Sequence, residues 1–353
     1  MSDFTNLVDL ASRRMGSSVI FANDEFFAEK ESLINPHAPT FQAEDFGNKG
    51  QEYDGWETRR RRDQGFDWAI VRLGTPGIIR GVIIDTAFFK GNYPPFVSVQ
   101  ATALDGNPSI DEVQNAQWTS ILDKSPAEGH HPNKYETKSE KWWTHLRLCM
   151  HPDGGIARFR AYGNAMPDPR WIAARETIDL ACIDSGSDLI DCSDAFYSSA
   201  RNTLQPGLPL SQGDGWENRR RREGGNDFYS VRLGLPGVIT AVEVDTTHFK
   251  GNAPGEIQLS AGKEVDDVLK GNTSNIVNRT RVQPDTQHRY VINDETEYKS
   301  IRLDVYPDGG LGRLHVYGRP SAATLSEYTK RWLDSAGDGF TLHNQDSVKD
   351  LLK

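Results

Sequence analysis

The chain carries one long motif twice, and this duplication constrains its fold more than any other feature. Residues 54–92 and 214–252 align without a gap, and both begin with Asp-Gly-Trp-Glu followed, one residue later, by four consecutive arginines. A duplicated fold needs only its apolar pattern to persist, because packing depends on the apolar side chains. Here Asp, Glu, Arg, Lys and Asn are repeated too. The duplication therefore kept polar chemistry as well as architecture.

The two copies predict two domains of similar size. The repeats extend over residues 17–163 and 187–318, with a linker over 164–186 and a partly helical C-terminal tail over 319–353. Near its end each repeat has Pro-Asp-Gly-Gly, then an arginine and Tyr-Gly. The first repeat carries an insertion, which we place within residues 36–51. Length changes that fall between motifs indicate surface loops.

The segments within each repeat are typical of β-strands. Residues 68–73 and 78–84 are short, rich in β-branched residues and bounded by Gly and Pro, while residues 96–100 alternate in polarity. Pro-Asp-Gly-Gly between two such segments predicts a hairpin turn in which Gly takes a positive φ. Helical patterns occur around residues 169–181 and after Thr324. The sequence predicts an all-β protein of two tandem jelly-roll β-sandwiches joined by a short helical linker.

Composition argues against several function classes. The net charge of -10 is unfavourable for nucleic-acid binding despite the two arginine quartets. No apolar run approaches the length of a membrane span, so no membrane association is expected. The N-terminus lacks a basic region followed by an apolar one, and Cys149, Cys182 and Cys192 lack metal or redox spacing. We therefore expect a cytoplasmic protein, in which cysteines stay reduced.

The sequence contains no familiar cofactor motif. His-Glu-x-x-His, His-x-His and Cys-x-x-Cys are absent, as are the Gly-x-Ser-x-Gly elbow, the P-loop and the dinucleotide fingerprint. We expect that no cofactor is required, although the sequence leaves open whether a divalent metal assists. Carboxylate, His, Lys and Arg side chains are the groups available for chemistry.

The arginine quartets have two alternative interpretations. Arginine offers a planar fork that binds a carboxylate or ureido oxygen through two hydrogen bonds, and a nearby glutamate can hold that fork in place. The alternative is a solvated charge run in which Trp56 and Trp216 anchor the core. Because alternate residues of an extended chain face opposite sides, about two arginines per quartet would face a site.

The polar residues after the second strand are also ambiguous. Asp85 follows an apolar strand, and it is either a structural anchor for loop amides or a catalytic carboxylate. His248 replaces Phe88 of the first repeat. Its imidazole could act as an acid or base near neutral pH, or be structural. Arg158 and Arg313 follow the Pro-Asp-Gly-Gly turn and either line a solvent face or enter a site.

Together these motifs resemble those of the allantoicase family. The resemblance is carried by residues 55–60, 67–70, 85–86, 91–94 and 152–160, strengthened by their second copies, and it covers residues 17–320. It implies a duplicated jelly roll of the galactose-binding-like kind. It also implies a homo-oligomeric enzyme of purine catabolism that converts allantoate and water to ureidoglycolate and urea.

The resemblance implies roles for the polar residues. Catalytic acid and base candidates are Glu57, Asp85, Glu217, Asp245 and His248. Substrate-binding candidates are Arg59, Arg61, Lys90, Asn92, Arg158, Arg219, Lys250 and Asn252. Arg59 and Arg158 are assigned to the substrate carboxylate. Losing urea breaks a bond from the central carbon of allantoate to nitrogen, which needs a general acid and then a base for water. No carbonyl has to be polarised for attack, so a metal is not needed in principle.

Two rival functions remain at this stage. A non-catalytic jelly-roll module could bind a small anion or a sugar, since a fold alone does not determine function. A sugar site would be expected to show aromatic platforms and calcium-type carboxylate clusters, whereas the repeated loops carry Arg and Glu. A metal-dependent ureide amidohydrolase would need a ligand set that the sequence lacks. The sequence also leaves open whether each repeat holds its own site, both build one composite site, or the second copy serves assembly. The charged residues retained in both copies favour two sites or one composite site.

Overall fold

The computed structural model describes residues 3–353, which form two compact units. The first runs to Met166 and takes in Trp332–Gln345, and the second comprises Pro167–Arg331 with Asp346–Lys353. Each repeat forms a β-sandwich, which confirms the predicted fold class. None of the helices found in residues 3–353 is both long enough and apolar enough to span a membrane.

The first unit is built mainly from antiparallel strands. They are β1 (Val8–Asp9), β2 (Ser18–Ala22), β3 (Phe46–Gly47), β4 (Gly50–Gln51), β5 (Trp56–Glu57), β6 (Asp67–Asp85), β7 (Phe96–Thr102), β8 (Thr119–Pro126), β9 (Pro132–Glu136), β10 (Trp142–His151), β11 (Gly155–Ile156) and β12 (Arg158–Ala165). Helix α1 (Ile110–Gln114) and the 3-10 helices Phe4–Asn6, Arg13–Met15 and Lys30–Ile34 lie between them. The longest strand, β6, organises the sandwich.

Strand β6 belongs to both layers. Its first part pairs with β2 and β10, and its second part pairs with β12 and β9. Strands β7 and β8 extend the first layer, and β1 flanks β12. The sequence predicted two short strands here, but the structure has one. Gly74 makes this possible, because a Cβ atom there would lie 1.8 Å from the carbonyl oxygen of Met15. The missing side chain lets the strand pass close to the preceding loop.

The second unit repeats this arrangement. Its strands are β13 (Ile178–Asp179), β14 (Asp188–Cys192), β15 (Asp227–Asp245), β16 (Glu256–Gly262), β17 (Ser274–Arg281), β18 (Gln287–Val291), β19 (Glu297–Tyr306) and β20 (Arg313–Arg319). The path β13-β20-β15-β19-β16-β17 matches the path β1-β12-β6-β10-β7-β8 of the first unit.

Helices are few and short along the second half of the chain. They are α2 (Pro169–Ala173), α3 (Asp267–Lys270), α4 (Ala322–Asp334) and α5 (Asp346–Lys349), with 3-10 helices at Ile183–Ser185, Ala200–Leu204, Gln212–Asp214 and Asp350–Leu352. The helix predicted over residues 169–181 ends at Ala173, because Ile178–Asp179 already pairs with β20. The predicted helix of the tail is present as α4.

One end of the first sandwich gathers the repeated motifs. Strand β6 ends at Asp85, which lies opposite the start of β12 at Arg158. The short ladder between β5 and β11 places Glu57 opposite Gly155. Between β10 and β11, Gly154 has a φ of +148°, in agreement with the turn predicted for Pro-Asp-Gly-Gly. The repeated polar residues of three separate segments thereby reach the same edge.

Candidate active site

Residues 56–59 alternate between core and surface. Trp56 is fully buried and Thr58 nearly so, whereas Glu57 is half-buried and the Arg59 side chain is 65% exposed. Alternate residues of an extended chain share a face, so Glu57 and Arg59 project together from the sandwich. The rise of an extended chain separates their Cα atoms by about 7 Å. The spacing suits a small molecule held at both ends.

Of Glu57 and Arg59, Glu57 has the side chain suited to acid–base chemistry. Its Oε1 accepts a hydrogen bond of 2.7 Å from Asn92 Nδ2. Burial raises the pKa of Glu57 above its ordinary value of 4.5, and the Asn92 hydrogen bond opposes that shift. The ring of Phe89 fills the space over Gly155, on the same face as Glu57, since directly paired residues project to one side. Such a carboxyl group is suited to proton transfer.

Arg59 is held in place with its outer nitrogens free. Its Nε donates to Asp24 Oδ2 at 2.7 Å, and its backbone amide donates to Asp24 Oδ1 at 3.0 Å. The guanidinium lies over the ring of Phe26, 5.3 Å from the centroid. Among the described residues, Nη1 and Nη2 have no hydrogen-bond partner. An orientated guanidinium of this kind offers a two-pronged donor to a carboxylate.

The other arginines of the first quartet divide into two kinds. Arg61 donates to Asp63 at 3.0 Å and to Asp67 at 2.5 Å, and its amide donates to Asp153 Oδ2 at 2.7 Å. It therefore ties the quartet to the strand and to the Pro-Asp-Gly-Gly turn, so the predicted substrate role does not suit it. Arg60 and Arg62 are exposed and form no hydrogen bond or ion pair within residues 3–353.

Arg158 does not lie in the position predicted for a substrate ligand. Its side chain is 2% exposed, and it donates to the carbonyl oxygens of His37, Asp54 and Ala157 and to Asp54 Oδ2. These bonds occupy all three guanidinium nitrogens, so Arg158 fastens the loop before β5 to the start of β12. Arg313 makes the matching bonds to Asp214 in the second repeat. The assignment of Arg158 to the substrate carboxylate stays a prediction that these contacts do not favour.

The two repeated aspartates act as loop anchors. Asp85 Oδ1 accepts the amide of Ala87 at 2.8 Å, and Asp245 Oδ1 accepts the amide of Thr247 at 2.7 Å. Asp245 is completely buried. These contacts are those of an anchor for loop amides, and the catalytic alternative stays a prediction. Within the described chain, no hydrogen bond or ion pair joins either aspartate to the glutamate of its repeat.

His248 and the two lysines also lie apart from the glutamates. The Nε2 atom of His248 lies 3.0 Å from the carbonyl oxygen of Pro209, to which it donates. Its φ of +73° matches the +70° of Phe88, so the backbone is alike in both repeats. Lys90 is exposed without an ion pair in the described residues, and Lys250 Nζ lies 3.8 Å from Asp285. Of the predicted residues, the structure brings Glu57 together with Asn92.

In the second repeat, Glu217 and Arg219 make the hydrogen bonds that Glu57 and Arg59 make in the first. Asn252 Nδ2 donates to Glu217 Oε1 at 2.8 Å, and Arg219 Nε donates to Asp194 at 2.7 Å. A second amide, Gln212 Nε2, donates to the same oxygen at 2.7 Å. Sequence reasoning missed Gln212, because the repeats differ there and Glu52 occupies the aligned position. A cleft of about 280 Å³ adjoins the quartet, lined by Ser193, Asp194, Arg219, Arg220, Arg221, Arg222, Glu223 and Asp227.

The described residues also bear on metal binding and on thiol chemistry. Over residues 3–353, no group of three or more His, Cys, Asp or Glu side chains is arranged to hold a metal ion. Burial raises the pKa of Cys149 and of Cys192 to about 11, which keeps both thiols protonated at neutral pH. Neither thiol is therefore suited to act as a nucleophile.

Comparison with known proteins gives one consistent result. The family model described as Allantoicase repeat matches residues 8–166 and again 178–321. A probable allantoicase of Streptomyces coelicolor is 44% identical over 327 residues, covering 89% of this chain and 86% of its own. The allantoicase of Dictyostelium discoideum is 37% identical over 317 residues, covering 87% and 86%. The crystal structure of the Saccharomyces cerevisiae allantoicase superposes with a TM-score of 0.73 at 34% identity, over 88% of this chain and 92% of that one.

Proposed function

The chain belongs to the allantoicase family and hydrolyses allantoate to ureidoglycolate and urea in purine degradation, and we propose that this reaction takes place beside Glu57. The observation that carries the proposal is the face shared by Glu57 and Arg59. It sets a carboxyl group of raised pKa about 7 Å along the chain from an arginine with two free nitrogens.

The arrangement can hold allantoate by its charged end. The free nitrogens of Arg59 receive the substrate carboxylate, and Asp24 with Phe26 keeps the guanidinium in place. Arg60 and Arg62, exposed and without a partner in the described residues, add positive potential that attracts the anion. Allantoate carries its carboxylate and both ureido groups on one carbon. Anchoring the carboxylate therefore brings a ureido nitrogen toward Glu57.

Glu57 then serves as acid and afterwards as base. Its carboxyl group protonates the departing ureido nitrogen while the lone pair of the remaining ureido nitrogen forms a C=N bond. The C–N bond to the departing group breaks, and urea leaves with the bonding electrons. Water adds to the C=N carbon and gives a proton to the Glu57 carboxylate, which restores the acid and yields ureidoglycolate.

The route draws on no metal ion. The bond that breaks is at a tetrahedral carbon, so no carbonyl has to be polarised for attack. Support also comes from the ligand geometry, since His, Cys, Asp and Glu side chains do not cluster in residues 3–353.

We propose a cytoplasmic homo-oligomer that needs neither nucleic acid nor membrane. The acidic net charge of -10 disfavours nucleic acid, and three free cysteines suit a reducing compartment. Each repeat exposes an aromatic pair, Phe26 with Phe27 and Phe196 with Tyr197. Aromatic residues are enriched at protein interfaces.

A product assay tests the proposal. Purified protein is incubated with allantoate, and urea, ureidoglycolate and ammonia are quantified with and without a chelator. Urea and ureidoglycolate in equal amounts, unchanged by chelator, are expected. Loss of turnover on chelation contradicts the metal-free route, and ammonia as product indicates attack on the carbonyl instead. No turnover favours a binding module, whose ligand would be sought at the arginine quartets.

A further inference from the structure

The two glutamates differ in the donors that their carboxylates receive. Glu57 Oε1 accepts one hydrogen bond, from Asn92 at 2.7 Å. Glu217 Oε1 accepts two, from Asn252 at 2.8 Å and from Gln212 at 2.7 Å. Glu52, which aligns with Gln212, is exposed and has no amide to donate. The amide of Gln212 is therefore a second donor that occupies the Glu217 carboxylate, and residue 52 of the first repeat supplies no such donor to Glu57.

The two glutamates also differ in the aromatic residues around them. Tyr53 stacks on Phe89 at 4.8 Å between ring centroids, and Phe89 lies over Gly155, directly opposite Glu57. Phe41, from the inserted loop, packs in a tilted arrangement against Tyr53 at 5.2 Å and stacks on Phe88 at 5.4 Å. This aromatic stack keeps water from one side of the Glu57 site, which favours the neutral acid.

The second repeat lacks the residues that build this stack. Gly213 stands in place of Tyr53, and His248 in place of Phe88. His248 directs its Nε2 to the carbonyl oxygen of Pro209 at 3.0 Å. Phe249 lies over Gly310 as Phe89 lies over Gly155. The two repeats therefore share this phenylalanine and differ in the residues that pack on it.

From these two differences, and on the basis of the function proposed above, we propose that the first repeat alone performs the proton transfers of the reaction. Gln212 makes the equivalent pocket of the second repeat non-catalytic by holding Glu217 with a second amide. A general acid must give up its proton to the leaving nitrogen, and at Glu217 two amide N–H donors already occupy Oε1, whereas Glu57 Oε1 accepts one among residues 3–353. Of the two copies of the glutamate motif, the first thus takes part in the proton transfers and the second does not.

Matched glutamine variants test the proposal. Urea release is measured at saturating allantoate for the wild type, Glu57→Gln and Glu217→Gln, with circular dichroism and thermal unfolding to establish that each variant folds. Glu57→Gln should lower kcat by about 10²- to 10⁴-fold, the usual contribution of a general acid or base. Glu217→Gln should change kcat by less than about twofold. If each variant loses about half of kcat, both repeats catalyse and the proposal is overturned.

The pH dependence supplies a second readout that a structural role would not move. Within residues 3–353, Asn92 is the one donor to the Glu57 carboxylate, and Asn92→Ala removes it. The basic limb of kcat/KM should therefore shift to higher pH. Gln212→Ala should leave that limb in place, and a shift in this variant would overturn the proposal. The proposed function and this inference can be told apart. If the wild type releases no urea, the proposed function is wrong. If the wild type is active and both glutamate variants lose the same share of kcat, only this inference is wrong.

Discussion

Arg158 Nη2 donates a hydrogen bond of 2.6 Å to Asp54 Oδ2, and its Nη1 donates at 3.0 Å to the carbonyl oxygen of the same residue. Asp54 opens the repeated motif, and Arg158 opens β12. The pair returns as Arg313 with Asp214, at 3.0 Å. A buried guanidinium needs partners for its donors, and Arg158 finds them in Asp54 Oδ2 and in the carbonyl oxygens of His37, Asp54 and Ala157. Part of the duplicated polar chemistry therefore holds the architecture together.

Arg158→Ala should destabilise the fold. It leaves Asp54 without its buried partner and frees the loop that includes His37, so the free energy of unfolding should fall by about 3–5 kcal/mol. Chemical denaturation measures this, with Arg60→Ala as a control that alters an exposed arginine without an ion pair in the described residues. Wild-type stability combined with a raised KM would restore the substrate role that the sequence suggested.

Arg59→Lys should weaken binding of allantoate while leaving stability almost unchanged. Lysine lacks the planar fork, so kcat/KM should fall by about 10- to 100-fold, equivalent to one charged hydrogen bond. Arg289→Lys is the matched control, because Arg289 is also exposed and donates from Nε to a carboxylate at 2.7 Å, that of Glu243. Unchanged kinetics in Arg59→Lys would remove Arg59 from the substrate site.

Gly155→Ala should disturb the face that carries Glu57. A Cβ atom at Gly155 would lie 2.1 Å from the ring of Phe89, which packs against the rest of the loop. Overpacking of this kind costs about 1–3 kcal/mol, and displacing the ring should lower kcat as well. Gly91→Ala is the control, since its Cβ would meet nothing within 4 Å. Equal activity and thermal stability in the two variants would contradict the role given to Phe89.

Stability should depend on pH through the pair of His315 and Asp179. Burial opposes the protonated ring, but the hydrogen bond of 2.7 Å and the charge of Asp179 raise the pKa of His315 above its ordinary 6.5. A raised folded-state pKa means that this stabilisation is complete below pH 6.5 and is lost as pH rises through the folded value.

The first repeat offers a variant without this titration. Arg160 stands in the matching position, with Nη1 at 3.6 Å from Asp9. As the pH rises above 6.5, the free energy of unfolding of the His315→Arg variant should therefore fall less than that of the wild type. Denaturation at each pH measures this. Parallel curves for the two proteins would show that the imidazole does not titrate with folding.

Several features of the molecule could be predicted from the sequence. The repeated motifs indicated two similar domains, and the alternation of apolar residues indicated strands, because each of these is a local property of the chain. Glu57 and Asn92 could be selected as candidates, since both persist in the second copy. The break predicted between residues 73 and 78 was wrong, because the glycines there let one strand continue into the other layer.

The order of the amino acids was enough to predict the fold class, the duplication and the set of polar side chains available for chemistry. Which of those side chains already have partners depends on how the chain folds. Arg59, Arg61 and Arg158 are the same residue type, yet their partners Asp24, Asp67 and Asp54 come from different segments of the chain. Hydrogen bonding and burial depend on contacts between residues that are far apart in the chain. Arginines that look alike in the sequence therefore differ in how many of their guanidinium nitrogens already have a partner.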